Sequence, residues 1–126
     1  MKINEAIAGF SGLVPHPYPD ATLVRWLSDC DGMLFSEALH GQEGTLLAPD
    51  LPYDAHRDMD RELLVPEPYC DLYLKYLEAQ VDYYAGEYAR YNNAIAVYNA
   101  MAERFASAHV RTAAQGDGTA LRTGVR

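Results

Sequence analysis

The stretch Tyr69–Phe105, YCDLYLKYLEAQVDYYAGEYARYNNAIAVYNAMAERF, decides how this chain folds. Eight of the ten tyrosines stand in it. Leu74, Leu77, Val81, Tyr84, Tyr88, Tyr91, Ile95, Tyr98, Ala102 and Phe105 follow one another at alternating steps of three and four residues. That spacing lines one side of an α-helix with apolar mass. Tyrosine adds a second demand, because its ring favours burial while a buried hydroxyl needs a hydrogen-bond partner. Such a stripe serves a core face or a seam between two polypeptides.

At the upstream end, Glu67 and Pro68 are positioned to open the helix. Pro68 fits the first helical position, where a missing N–H costs nothing, and Asp71 suits the first turn. The pattern runs on to about Ala108. From Leu74 to Phe105 a straight helix rises roughly 47 Å, whereas a globule of this size is about 36 Å across. An unbroken helix would overhang its own domain and offer its stripe to a partner. The alternative is a break near Gly86, or near Asn92 and Asn93, that folds the segment into a hairpin and buries the stripe internally. Gly86 falls on the outward side of the register, so an unbroken or gently bent helix is the expectation. Residues 110–126, rich in Gly, Ala and Thr and without a period, read as an extended tail.

Before the stripe, Gln42–Pro66 has Pro49 and Pro52 within it, several acids and no sustained period. It reads as a long loop, with a short β-hairpin expected from Thr45–Ala48 and Glu62–Val65. Asp20 is an N-cap candidate for a helix running to about His40, with Leu23, Leu27, Cys30 and Leu34 on one face. Pro15, Pro17 and Pro19 enforce an extended connector before it. Ile3–Ala8 predicts a short first helix, with Asn4 as cap and Gly9 as stop. The expected fold is thus mainly α. It comprises a helical domain over residues 1–109 with one long C-terminal helix, and a tail over residues 110–126.

A chain of 126 residues suits one domain with a core of its own. No apolar run approaches the roughly 18 residues of a membrane span, and the N-terminus lacks a signal-peptide pattern. Cys30 and Cys70 share no short motif and read as reduced, buried thiols. The net charge of −8 opposes specific nucleic-acid binding, which needs clustered Lys and Arg. Residues after His109 carry a local +2, which leaves −10 on the rest. An acidic body suits protein contacts, or a surface that DNA slides past.

Asp54, His56, Asp58, Asp60 and Glu62 alternate in a way that suggests a calcium loop. The turn glycine is replaced by Met59, however, and Val65 stands where the closing glutamate belongs, so a solvated acidic loop fits better. A small metal-dependent enzyme using this loop is the alternative from a different class. Asp29 and Asp31 point in different directions on a helix. The four histidines have no metal-ligand spacing, and no nucleophile elbow, phosphate loop or dinucleotide fingerprint occurs. No catalytic, cofactor or metal residue is assigned.

The run LVPEPYCDLY at Leu64–Tyr73, YLEAQVDY at Tyr76–Tyr83, Arg90–Asn93 and WLSDCDG at Trp26–Gly32 resemble small structural proteins of the head–tail region of tailed phages and prophages. The resemblance covers Ile3–Phe105. It implies a head–tail connector, or neck adaptor: a helical virion subunit in a homo-oligomeric ring below the portal, with a dodecamer among the open stoichiometries. Such a ring docks further neck or tail-completion proteins and lets DNA pass. Another capsid-associated or tail-completion role is the alternative within the same resemblance. The expected interface residues are Leu77, Val81, Tyr84, Tyr88, Tyr91, Ile95 and Tyr98 of the stripe, with Arg122 and Arg126 of the tail.

Overall fold

A computed structural model describes residues 1–38 and 48–117, with backbone alone for Ala38 and residues 110–117. The protein is mainly helical. Helix α1 spans Ile3–Leu13, α2 Asp20–Met33, α3 Leu72–Tyr84 and α4 Tyr88–Asp117. A short π-helical turn, Leu34–Ala38, extends α2. Inside it the Ser36 hydroxyl donates back to the Gly32 carbonyl at 2.9 Å. No helix among the described residues is long and apolar enough to cross a membrane.

The expected long helix from Glu67 to Ala108 is divided. A long C-terminal helix is present, thirty residues in α4, but it begins at Tyr88, and the segment before it folds back as α3. Gly86 makes the break. It adopts φ +76°, a left-handed conformation that costs side-chain-bearing residues about 1–2 kcal/mol. Its N–H donates to the Tyr83 carbonyl at 3.1 Å, and the Glu87 N–H donates to the Asp82 carbonyl at 2.9 Å. These two bonds form a Schellman motif, which satisfies carbonyls that a helix end leaves unpaired. The Glu87 carbonyl then accepts from the Tyr91 N–H at 2.9 Å and starts α4. One glycine's backbone freedom outweighs its outward place on the helical wheel.

α3 sits at the centre, packed against α1, α2 and α4, while α4 packs on α3 and touches the π-turn. Leu72, Tyr73, Tyr76, Leu77, Ala79 and Val81 are accordingly buried around most of α3. The expected face of α2 is borne out, with Leu23, Leu27, Cys30 and Leu34 all in the core. Each aliphatic side chain buried there contributes about 2 kcal/mol of transfer free energy. Gly32 has a use beyond weakening α2. A Cβ at that position would lie 3.3 Å from Leu51 Cδ1, so the returning loop lies flush on the helix.

Several element boundaries differ from expectation. α1 runs through Gly9 to Leu13, and the following Val14 is extended at φ −127° and ψ 119°. Pro15 is the effective stop, since the residue before a proline disfavours helix. The cap position is Lys2, whose N–H donates to Glu5 Oε1 at 2.8 Å. Asn4 instead donates from Nδ2 to Asp60 at 2.9 Å. Pro19 rather than Asp20 holds the cap position of α2. Pro68 is not the first helical residue, because α3 begins at Leu72. The segment around Glu62 is extended, but it pairs with the chain start. The Ile3 N–H donates to the Arg61 carbonyl and the Leu63 N–H to the Met1 carbonyl, at 3.0 and 2.9 Å. Among the described residues, the one antiparallel bridge joins Lys2 to Glu62. Residues 45–47 of the other expected strand, and His40 at the expected end of α2, lie outside the described residues. The tail is also revised, as α4 continues through Asp117.

Candidate interaction surface

The hairpin sorts the tyrosine stripe into two populations. Leu77, Val81, Tyr98 and Phe105 are buried where α3 and α4 face each other or the core. Leu77, Val81 and Tyr98 are therefore internal packing residues and not an exposed seam, a correction that follows from the fold-back at Gly86. Tyr91 and Ile95 are half-buried. Tyr84 and Tyr88, which flank the turn, are each 60% exposed, and neighbouring Tyr83 is 47% exposed. Of the expected interface residues, the structure brings Tyr84, Tyr88 and Tyr91 together at one end of the molecule. Arg122 and Arg126 lie outside the described residues.

The exposed rings end a continuous aromatic chain. Phe10 stacks on His16, His16 on Tyr18, and Tyr18 meets the edge of Trp26. Trp26 stacks on Tyr84 with centroids 5.7 Å apart and planes 6° from parallel. Tyr83 then contacts Tyr84, Tyr88 and Tyr91 at 5.1, 5.9 and 5.4 Å. Offset and edge contacts of this kind add about 0.5–1.5 kcal/mol each beyond area burial. The proline connector supplies the middle of the chain because its extended backbone places His16 and Tyr18 against α1 and α2. His16 is fixed there by the Ser11 hydroxyl at 2.9 Å and by the Tyr18 N–H at 3.1 Å. At the rim, Arg90 lies 3.9 Å from Asp82 and 3.8 Å from Glu87. Burial raises the Asp82 carboxyl above its ordinary pKa, with Arg90 opposing.

The opposite chemistry lies within. Asp31, on α2, is fully buried. It accepts from the Tyr53 hydroxyl at 2.6 Å, the Tyr73 hydroxyl at 2.5 Å and the Leu64 N–H at 3.0 Å. The Tyr73 hydroxyl itself accepts from the Val65 N–H at 2.8 Å, and the Ser28 hydroxyl accepts from the Tyr53 N–H at 3.1 Å. Burial raises the Asp31 carboxyl above its ordinary pKa, while these three donors pull the other way. Burial also pushes both tyrosines up, reinforced by the adjacent carboxylate. The knot ties the loop before α3 to α2. Its one sequence signal is an acid on the buried side of α2, beside Leu27, Cys30 and Leu34.

The alternating acids are also structural. Asp54 Oδ1 accepts from the His56 and Arg57 N–H groups at 2.7 and 3.0 Å. Asp58 is buried and accepts from the Asp54 N–H at 2.8 Å, from Arg57 at 3.3 Å and from Arg61 at 3.1 Å. The Arg57 hydrogen bond and the Asp54 N–H hold the Asp58 carboxyl below its ordinary pKa. Asp58 therefore closes a turn instead of facing solvent, whereas Asp54, His56, Asp60 and Glu62 are exposed as a solvated loop requires. Among the described residues, no group of three or more His, Cys, Asp or Glu is placed to hold a metal ion. Cys30 and Cys70 are free and buried. Burial pushes the Cys30 thiol up, and burial with the Glu67 hydrogen bond pushes Cys70 up to about 11. Neither thiol is poised as a nucleophile.

Set against models of known protein families, curated proteins and solved structures, the chain matches none of them.

Proposed function

We propose that this chain is a non-enzymatic structural subunit of a tailed-phage or prophage particle. It is a head–tail connector that assembles into a homo-oligomeric ring below the portal and docks further neck or tail proteins. The observation that carries the reading is the aromatic hairpin end, where Tyr83, Tyr84 and Tyr88 stay 47–60% exposed around a turn held by its own hydrogen bonds. Clustered exposed tyrosines are what protein interfaces enrich, since they supply apolar area and a hydroxyl at low entropic cost. The resemblance of Leu64–Tyr73 and Tyr76–Tyr83 to connector proteins supplies the particle. The acidic body suits a wall past which DNA moves without adhering.

The test is particle mass. Sedimentation of the purified chain at micromolar concentration, alone and with portal protein, should show self-association or a joint complex. A strictly monomeric chain that also ignores portal protein overturns the reading. Tyr88→Asp should impair assembly far more than folding, because Tyr88 contributes little to the core.

A further inference from the structure

Between the end of α2, the π-turn, α3 and α4 lies a groove of about 390 Å³. Met33, Leu34, Ile95 and Ala102 give it apolar sides, and among the described residues Glu37 is the one charged residue lining it. Three phenols line it as well, Tyr76, Tyr91 and Tyr98. The Tyr98 hydroxyl is matched with Cys30 Sγ at 3.4 Å. Tyr76 is 6% exposed, yet its hydroxyl has no hydrogen-bond partner among the described residues. Tyr76 lines the groove, so a polar atom from outside can reach its hydroxyl there.

The nature of that visitor follows from the groove. A nearly uncharged apolar hollow rejects an ionic side chain, which would lose its hydration. A phenol fits, because its hydroxyl both accepts and donates while its ring meets the Met33 thioether and the aliphatic sides. This chain exposes such a group. Tyr88, the first residue of α4, is 60% exposed and has a single ring contact among the described residues, with Tyr83 at 5.9 Å. Resting on the assembly reading above, the geometry points to this groove as the docking site for Tyr88 of a second copy, with the Tyr76 and Tyr88 hydroxyls hydrogen-bonded. Repeated head to tail, such a contact is heterologous and builds a ring when its rotation closes.

Sedimentation equilibrium on the full-length chain, paired with urea unfolding, tests this. Tyr76→Phe removes one oxygen and should weaken self-association about fivefold, the worth of a neutral hydrogen bond, while leaving folding stability unchanged or raised. Asn99→Trp, at an exposed position on the groove, should block docking and weaken association more than tenfold with unfolding unaltered. The proposal is overturned if Tyr76→Phe and Asn99→Trp assemble like the parent chain. It is equally overturned if Tyr76→Phe lowers folding stability, which would mean that the hydroxyl is satisfied from within its own chain. Should Tyr88→Asp abolish assembly while both groove variants retain it, the hairpin end builds the ring against some other surface. A chain that never self-associates or binds portal protein removes the functional reading itself.

Discussion

Tyr73 and Tyr84 stand on the same helix and meet opposite fates. Tyr73 is fully buried, with its hydroxyl bonded to both Asp31 and the Val65 N–H. Tyr84 is 60% exposed and packs one face on Trp26. One residue type thus acts as a polar bolt inside and as adhesive area outside. The lesson is that a tyrosine count says little until each hydroxyl has been assigned a partner. Fold energy should concentrate at the first site and assembly energy at the second.

The comparison breaks most visibly at its buried end. Asp31→Ala strands two phenols and the Leu64 N–H without an acceptor and should cost about 4 kcal/mol in urea denaturation. Tyr73→Phe leaves Asp31 Oδ1 and the Val65 N–H short of a partner and should cost about 2 kcal/mol by the same measurement. At the exposed end, Tyr84→Asp should lose only the Trp26 stack, about 1 kcal/mol of folding stability, while self-association measured by sedimentation falls at least about tenfold, the 1.4 kcal/mol equivalent. Gly86→Ala meets no steric neighbour. Its cost, about 1 kcal/mol from the left-handed backbone, should appear in thermal unfolding without a change in assembly contacts.

The smallest effect concerns pH. Burial raises the folded pKa of Asp31 above its ordinary 3.8. The folded state therefore binds this proton more tightly than the unfolded state does. The group's contribution to stability is fully present below 3.8 and is lost as pH rises through the raised folded value. Asp54 and Asp58, whose pKa values are lowered, act with the opposite sign and lose their contribution on acidification. Titrating urea stability downward from neutral pH, the parent chain should gain on Asp31→Asn across the window ending near 3.8. Parallel curves would refute the assignment.

The helical character was legible because α2 and the stripe follow a plain three-and-four spacing. That same spacing is shared by one unbroken helix and by two helices whose apolar sides face each other. It could not separate a hairpin from a rod, and the deciding feature was the positive φ of Gly86, which the wheel position concealed. Gly9 and Pro15 make the same point from the other side. A glycine without a left-handed role lets the helix pass, and the proline ends it. The extended shape of the Glu62 segment was readable, but its partner Met1–Ile3 was not, since pairing across such a separation leaves no local trace. Asp31 was hidden by its charge. Acids usually face water, and the three donors that keep this one inside come from segments far apart in sequence. The exposed site was half visible, with the right tyrosines mixed among others that the fold-back buries.

The chain contains one tryptophan, and it is the ring stacked on Tyr84. Its fluorescence is therefore wired to the hairpin turn. Any neighbour that covers Tyr84, or pulls it aside, should alter the emission of a fluorophore that is itself buried. The protein carries its own optical gauge of contact at that end, readable without a label and at concentrations too low for mass measurements.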